Sequence, residues 1–194
     1  MIIIEDLGKS NELYLRSIVE YHLSIFPDGL ISSLGSEFVK AYYKDLFTLP
    51  SYSVYQASDK QRMLGFIGYI QYQNDLDQLT VFKTAKILAL KKILSFKLNP
   101  VILLRALIKK WLGRKVNHLP ELMMIAVDPD ARRLGIGSKL VQKMEDDLIK
   151  NNLMSYCVYT DNPEGLQFYQ KLGFEPVFRF RFFGDRRRAQ RRFF

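Results

Sequence analysis

The sequence predicts a single α/β layered domain over residues 1–194, and three observations predict it. Stretches with strand-like apolar runs are interleaved with stretches whose apolar residues recur at helical spacing. The length of 194 residues suits one substantial core, and a hydrophobic content of 48% excludes a disordered chain. A strand, a glycine-bearing turn and a helix follow one another directly within residues 121–150.

The elements read in order as follows. Residues 1–5 form a first strand, and residues 10–23 carry Leu13, Ile18 and Tyr21 at helical spacing. "FPDGLISSLG" is a loop of unusual apolar content, and residues 36–47 are a second helix bearing Phe38, Tyr42, Tyr43 and Leu46. "SYSVYQAS" and "MLGFIGYIQY" are strands of a hairpin around "SDKQR". "ELMMIAV" is a strand, and residues 138–150 are a helix with Leu140, Val141, Met144 and Leu148 on one face. "MSYCVYT" is a strand. "PEGLQFYQKLG" is a short helix with Pro163 near its start and Gly173 at its end, and "FEPVFRFRFF" is a last strand region.

The net charge of +9 is unevenly placed. Residues 78–120 hold ten Lys or Arg and no acid, residues 178–194 hold seven Arg and one Asp, and the remainder is acidic. Within 78–120, "TVFKTAKILALKKILSF" and "NPVILLRALIKKWLG" read as basic helices, the second with Asn99 as N-cap, Pro100 in its first turn and Gly113 after its end. Three readings of this insertion stay open: a lid over an acceptor cleft, a peripheral contact with an anionic membrane, and a packed elaboration with solvated lysines. A positive lid would suit an acceptor bearing phosphate or carboxylate. Residues 184–194 read as a basic C-terminal tail, more a solvated end than a nucleic-acid contact.

The single Cys157 excludes an intrachain disulfide. His22 and His118 with that one cysteine make a poor ligand set, so no metal is expected. No apolar run reaches the roughly 20 residues of a membrane span, and "MIIIEDLGKS" lacks the features of a signal peptide, so a cytoplasmic protein is expected. The oligomeric state is left open, a homodimer included.

The chemistry is concentrated in "AVDPDARRLGIGSKL". Asp128-Pro129 ends the strand, since proline cannot donate a ladder hydrogen bond. Gly135 and Gly137 tolerate positive φ and let a ligand approach the backbone. The helix that follows offers free N–H groups and its positive dipole end, and Arg132, Arg133 and Lys139 add charge. The natural occupant is a phosphate or pyrophosphate. A P-loop is excluded, because Ser138 separates Gly137 from Lys139. A dinucleotide fingerprint is excluded, because position 140 is Leu where a third glycine is needed.

Arg132-x-x-Gly135-x-Gly137 after "IAVDPDA" resembles the coenzyme A-binding motif of the GNAT superfamily of N-acetyltransferases. "YTDNPEGLQFYQKLGFEPV" resembles its second motif, an Asn-x-x-(small)-x-x-x-Tyr run ending in Gly-Phe. The resemblance implies a GNAT-like fold, a mixed central sheet splayed in its middle with helices on both faces, here with the inserted basic helices. Its regular final hairpin is not clear in this sequence. It implies acetyl-CoA as cosubstrate, with the pyrophosphate on Arg132, Arg133, Leu134, Gly135, Ile136, Gly137 and Ser138. The pantetheine arm then pairs with the main chain of Ile125, Ala126 and Val127. Asn162 matches a family position near the cofactor, and it is also a good N-cap. Tyr169 matches the tyrosine that protonates the coenzyme A sulfur; its phenol starts protonated at neutral pH.

Direct transfer needs a neutral amine, donors for the oxyanion and a proton for the thiolate. The oxyanion donor is expected on the "IAV" strand, at the N–H of Val127. Some family members carry a glutamate at the start of this strand, which makes Glu121 the candidate base; the equal alternative is a solvent-exposed glutamate at a strand start. Glu121 lies six residues before Val127, so the two share a face of an unbulged strand, a parity a bulge would spoil. The leading reading is an acetyl-CoA-dependent N-acetyltransferase acting on a primary amine of a small molecule, an amino sugar among them, or of a protein. The alternative is a non-catalytic GNAT-like module that binds anionic membrane or nucleic acid through its basic segments. The sequence does not identify the acceptor.

Overall fold

The computed structural model describes residues 2–7, 12–27, 29–59, 62–81, 118–160, 163–182 and 185–193. Most of the basic insertion, with both helices expected in it, and Asn162 lie outside the described residues. The chain divides into two compact units. One comprises Met1–Asp6, Ser53–Gln73 and Lys115–Phe194; the other comprises Leu7–Tyr52 and Asn74–Arg114.

The first unit is built on a seven-stranded mixed sheet of order β1-β2-β3-β4-β5-β7-β6. Its strands are β1 (Ile3–Asp6), β2 (Tyr52–Asp59), β3 (Arg62–Ile70), β4 (Glu121–Val127), β5 (Ser155–Thr160), β6 (Glu175–Phe182) and β7 (Asp185–Phe193). β4 and β5 are parallel, while β1–β2, β3–β4, β5–β7 and β6–β7 are antiparallel. Parallel neighbours need a crossover, and the helix Ile136–Lys150 supplies it between β4 and β5. Leu140, Val141, Met144 and Leu148 line its buried side, as their spacing predicts. They share a core cluster with Tyr55, Ile67, Tyr69, Leu122, Tyr156 and Val158 of the sheet, and with Tyr169 and Phe174. Val54, Phe66 and Ile70 are also buried but belong to no part of that cluster, so the sheet is apolar on both faces.

The segment expected as a basic tail is a strand. β7 pairs with β5 from Ser155↔Phe193 to Thr160↔Arg188, and with β6 on its other edge. The final hairpin is therefore present. Strand pairing is non-local, and the arginine-rich composition that reads as a solvated end concealed it.

The second unit carries α1 (Glu12–Ile25), α2 (Leu30–Ser33) and α3 (Ser36–Thr48). α2 is a single turn inside "FPDGLISSLG", and the buried Leu34 follows it. Phe38, Val39, Tyr42, Tyr43, Leu46 and Phe47 are buried along α3. The Asp45 carboxylate accepts from the backbone N–H of Val81 (2.7 Å) and the Thr80 hydroxyl (2.8 Å), tying the start of the insertion to α3.

Candidate active site

The helix Ile136–Lys150 is α4, and Pro163–Lys171 is α5. The site begins where β4 leaves β5. Their paired register covers only Glu121↔Cys157 and Leu122↔Val158. Beyond that point β5 continues along β7, with Tyr159↔Ala189 and Thr160↔Arg188. β4 meanwhile stays on β3 through Ile67↔Ile125, Phe66↔Ala126 and Gly65↔Val127. The two parallel strands thus part in a fork.

The main chain of β4 addresses that fork at defined residues. The Asp128 N–H donates to the Leu64 carbonyl at 2.8 Å, across the β3 edge. Successive residues of a strand direct their N–H and C=O to alternate edges. Asp128 and Ala126 therefore face β3, and Val127 and Ile125 face the fork. This corrects the expectation for Ala126: its backbone groups serve the sheet, and only Ile125 and Val127 can pair with an added extended ligand.

Past the fork the chain turns sharply into the start of α4. The Asp128 carboxylate accepts from the Asp130 N–H at 2.9 Å, opening the short 3-10 turn Pro129–Ala131. It also faces Arg62 at 3.7 Å. Arg133 and Gly135 both take the left-handed conformation, with φ of 64° and 77°. Gly135 is the N-cap of α4, and no side chain caps the helix. The Lys139 N–H reaches the Gly135 carbonyl at 3.0 Å. The amides of Ile136, Gly137 and Ser138 thus precede the first intrahelical bond and sit at the positive end of the dipole. Ile136 is buried and anchors the turn, while Arg132, Arg133, Leu134, Gly135, Ser138 and Lys139 are exposed around it. The Arg132 guanidinium lies 3.4 Å from the Val127 carbonyl and 3.8 Å from Glu164 of α5.

The two glycines do different work. A Cβ on Gly135 would meet nothing within 4 Å, so the residue is needed for its φ and the space beside it is open. A Cβ on Gly137 would lie 3.2 Å from the Phe168 ring. Gly137 therefore makes room for α5, in contrast to the expectation that its bareness serves a ligand.

Tyr169 is buried in the α4-side core, with ring centroids 5.3 Å from Phe168 and 5.2 Å from Phe174. The Gly-Phe that ends the motif closes α5. Gly173 is left-handed at φ 83°, and the Phe174 N–H donates back to the Tyr169 carbonyl at 3.1 Å. Burial pushes the Tyr169 phenol well above its ordinary range, so it carries its proton throughout the neutral range.

Glu121 is buried, and the expected parity with Val127 does not hold. The β3–β4 register passes from Gly68↔Met124 to Tyr69↔Leu122, so Met123 is an extra residue on β4. The bulge puts Leu122, Ile125 and Val127 together against the α4-side core. Glu121 goes to the opposite face with its neighbour Cys157, which is buried. Tyr169 and Glu121 consequently lie on opposite faces of the sheet.

Several polar residues that anchor the site carry no sequence signal. The buried Tyr156 hydroxyl donates to Glu145 at 2.8 Å, and the Tyr69 hydroxyl donates to Asp147, so two acids of α4 are tied to the sheet. Gln73 donates from Nε2 to the Leu119 carbonyl at 2.8 Å, holding the entrance to β4. Only tertiary pairing distinguishes these from solvated polar residues.

A family model described as Acetyltransferase (GNAT) family matches residues 15–174. No curated protein matches the chain in sequence. Among solved structures, the chain is similar to the polyamine N-acetyltransferase of Drosophila melanogaster, at a TM-score of 0.70 and 10% identity over 100% of both chains. It is similar to an aminoglycoside 6'-acetyltransferase type Ii, at 0.64 and 16% identity over 98% of this chain and 96% of the other. It is also similar to the PaiA N-acetyltransferase of Thermoplasma acidophilum in complex with coenzyme A, at 0.59 and 13% identity over 100% and 99%. At these identities the likeness is one of fold.

Proposed function

The chain belongs to the GNAT acetyltransferase family, and from that premise we propose that it moves an acetyl group from acetyl-CoA directly to a primary amine. The observation that carries the reading is the fork. Val127 and Ile125 direct their backbone into it, and the uncapped start of α4 stands beside it. An extended pantetheine arm would add to β4 as a strand, and its pyrophosphate would rest on the amides of Ile136 to Ser138 with Arg132 and Arg133 nearby.

The amine nitrogen attacks the thioester carbon while the Val127 N–H stabilises the oxyanion. As the C–S bond breaks, the thiolate takes a proton from Tyr169, and the amine gives up one to Glu121. The placement of these two groups on opposite faces of the sheet supports this division: the acceptor arrives from the Glu121 side and the thiol departs on the Tyr169 side. Family neighbours include an aminoglycoside and a polyamine acetyltransferase. The acceptor proposed here is accordingly a primary amine, of a small molecule or of a protein. The described residues include no helix long and apolar enough to cross a membrane.

The test is release of coenzyme A on mixing the protein with acetyl-CoA and a panel of aminoglycosides, polyamines, amino sugars and peptides. Acetyl-CoA binding by calorimetry accompanies it. Release stimulated by an amine is expected. Tight binding with no stimulated release by any of them would favour the binding-module reading.

A further inference from the structure

The end of β4, the first turn of α4 and α5 meet at one point. A Cβ on Gly137 would lie 3.2 Å from the Phe168 ring and 3.7 Å from the Val127 side chain. Glu164 is one turn ahead of Phe168, so it stands on the face of α5 that meets the α4 start. Arg132, in the turn between β4 and α4, spans this junction. Its Nε–H donates to the Val127 carbonyl at 3.4 Å, and its guanidinium lies 3.8 Å from the Glu164 carboxylate. Arg132 thus joins β4 to α5 across the opening of the fork.

Each of these two contacts competes with a cofactor contact proposed above. The Val127 carbonyl is an acceptor that an extended pantetheine arm needs for its own amide N–H. The Arg132 charge is what a pyrophosphate needs, and Glu164 already engages it. We infer that Glu164 is a positioning residue for cofactor exchange: it latches Arg132 across the mouth of the fork, and acetyl-CoA enters by taking Arg132 from Glu164 and the Val127 carbonyl from Arg132. The inference rests on the reading of the protein as an acetyl-CoA-dependent transferase. After transfer the same contacts work in reverse. Glu164 competes with the pyrophosphate for Arg132 and speeds the departure of coenzyme A. Both side chains are exposed, Arg132 at 48% and Glu164 at 82%, so the pair is weak enough to open for an anionic ligand. An acid in the first turn of α5 also favours that helix through its dipole. That role alone would make Glu164→Gln loosen α5 and leave cofactor affinity equal or weaker, whereas the latch gives the opposite sign.

The test measures acetyl-CoA binding by calorimetry and coenzyme A release by stopped flow. In Glu164→Gln the Kd for acetyl-CoA is expected to fall about threefold, and release to slow by a similar factor, on the scale of one exposed ion pair. The gap from wild type should close at about 1 M salt, where exposed charges are screened. In an Arg132→Met background the same Glu164→Gln exchange should leave affinity nearly unchanged. A gain that survives in Arg132→Met marks plain repulsion of the anionic cofactor and overturns the latch, and so does an equal or weaker affinity in Glu164→Gln alone. A second measurement follows the Arg132 Nε–H by NMR in ¹⁵N-arginine-labelled protein, its signal assigned with Arg132→Met. Glu164→Gln is expected to move that signal. Inorganic pyrophosphate should move it in both proteins, with about threefold tighter apparent affinity in Glu164→Gln. Acetyl-CoA binding with an Arg132 signal indifferent to Glu164→Gln ends the latch alone. No acetyl-CoA binding ends the transferase reading, while the pyrophosphate titration still decides whether Glu164 holds Arg132.

Discussion

Gly65 of β3 lies directly opposite Val127 of β4, and a Cβ on it would sit 2.6 Å from the Ala126 carbonyl oxygen and 3.2 Å from the Val127 Cα. Both contacts are with backbone, which cannot swing aside. A bare residue at position 65 is thus what lets β3 hold the last turn of β4 and keep the Val127 amide aimed into the fork. Gly65→Ala is expected to force the strands apart at this point. The cost is about 1–3 kcal/mol, in the range of overpacked sites, or a fall of several degrees in Tm. Acetyl-CoA affinity should fall with it, as calorimetry on the folded variant would show. An unchanged affinity would detach the β4 edge from the cofactor.

Gly135 tests the loop through its backbone. At φ 77° a valine is strained even though the space around it is open. Asparagine visits the left-handed region more readily. Gly135→Val should lose most acetyl-CoA binding, and Gly135→Asn should retain a good part of it, with both variants folded by circular dichroism. Equal loss in the two would mean that bulk at the loop matters and its conformation does not.

Tyr169→Phe keeps the ring between Phe168 and Phe174 and removes only the hydroxyl. Turnover should drop by roughly 10²-fold or more, the range of a lost general acid, with acetyl-CoA affinity little changed. The raised phenol of Tyr169 also sets a direction for stability. The unfolded chain releases this proton near its ordinary value of about 10, before the folded protein does. The native state therefore loses its advantage as pH rises through that value and above it. Urea midpoints in alkaline buffers should fall less steeply for Tyr169→Phe than for wild type.

His22 governs the acid side. It is 3% exposed, its Nδ1 lies 2.9 Å from the Tyr43 hydroxyl, and burial lowers its pKa to about 4. The unfolded imidazole takes a proton near 6.5, whereas the folded one resists until about 4. Its contribution is therefore fully present above 6.5 and is lost as pH falls through this window, by roughly 1 kcal/mol per pH unit. Chemical unfolding between pH 7 and 5 should show that slope in wild type and little of it in His22→Gln. Parallel slopes in the two proteins would assign the acid sensitivity to other groups.

Much of the site is legible in the residues alone because its signals are local. The strand 121–127, the Asp128-Pro129 stop, the glycine-bearing turn and the amphipathic α4 follow from periodicity and backbone stereochemistry within some thirty residues. Gly173 and Phe174 likewise mark the end of α5 through a cap that needs no distant partner. Arg132, Arg133, Gly135 and Ser138 gather around the α4 start for the same reason.

The sequence by itself determined the alternation of strands and helices, the glycine-bearing turn before α4 and the buried face of α4. Each depends on torsional preference or apolar spacing along one stretch of chain. Only the tertiary structure decided which face Glu121 occupies, because the bulge at Met123 exists in the register between β3 and β4 and in neither strand alone. It decided that Gly137 accommodates Phe168, and that Ala126 serves β3 while Val127 serves the fork. It also turned an arginine-rich terminus into β7, since a strand acquires its hydrogen-bond partners from segments far away in the chain, and composition carries no record of them.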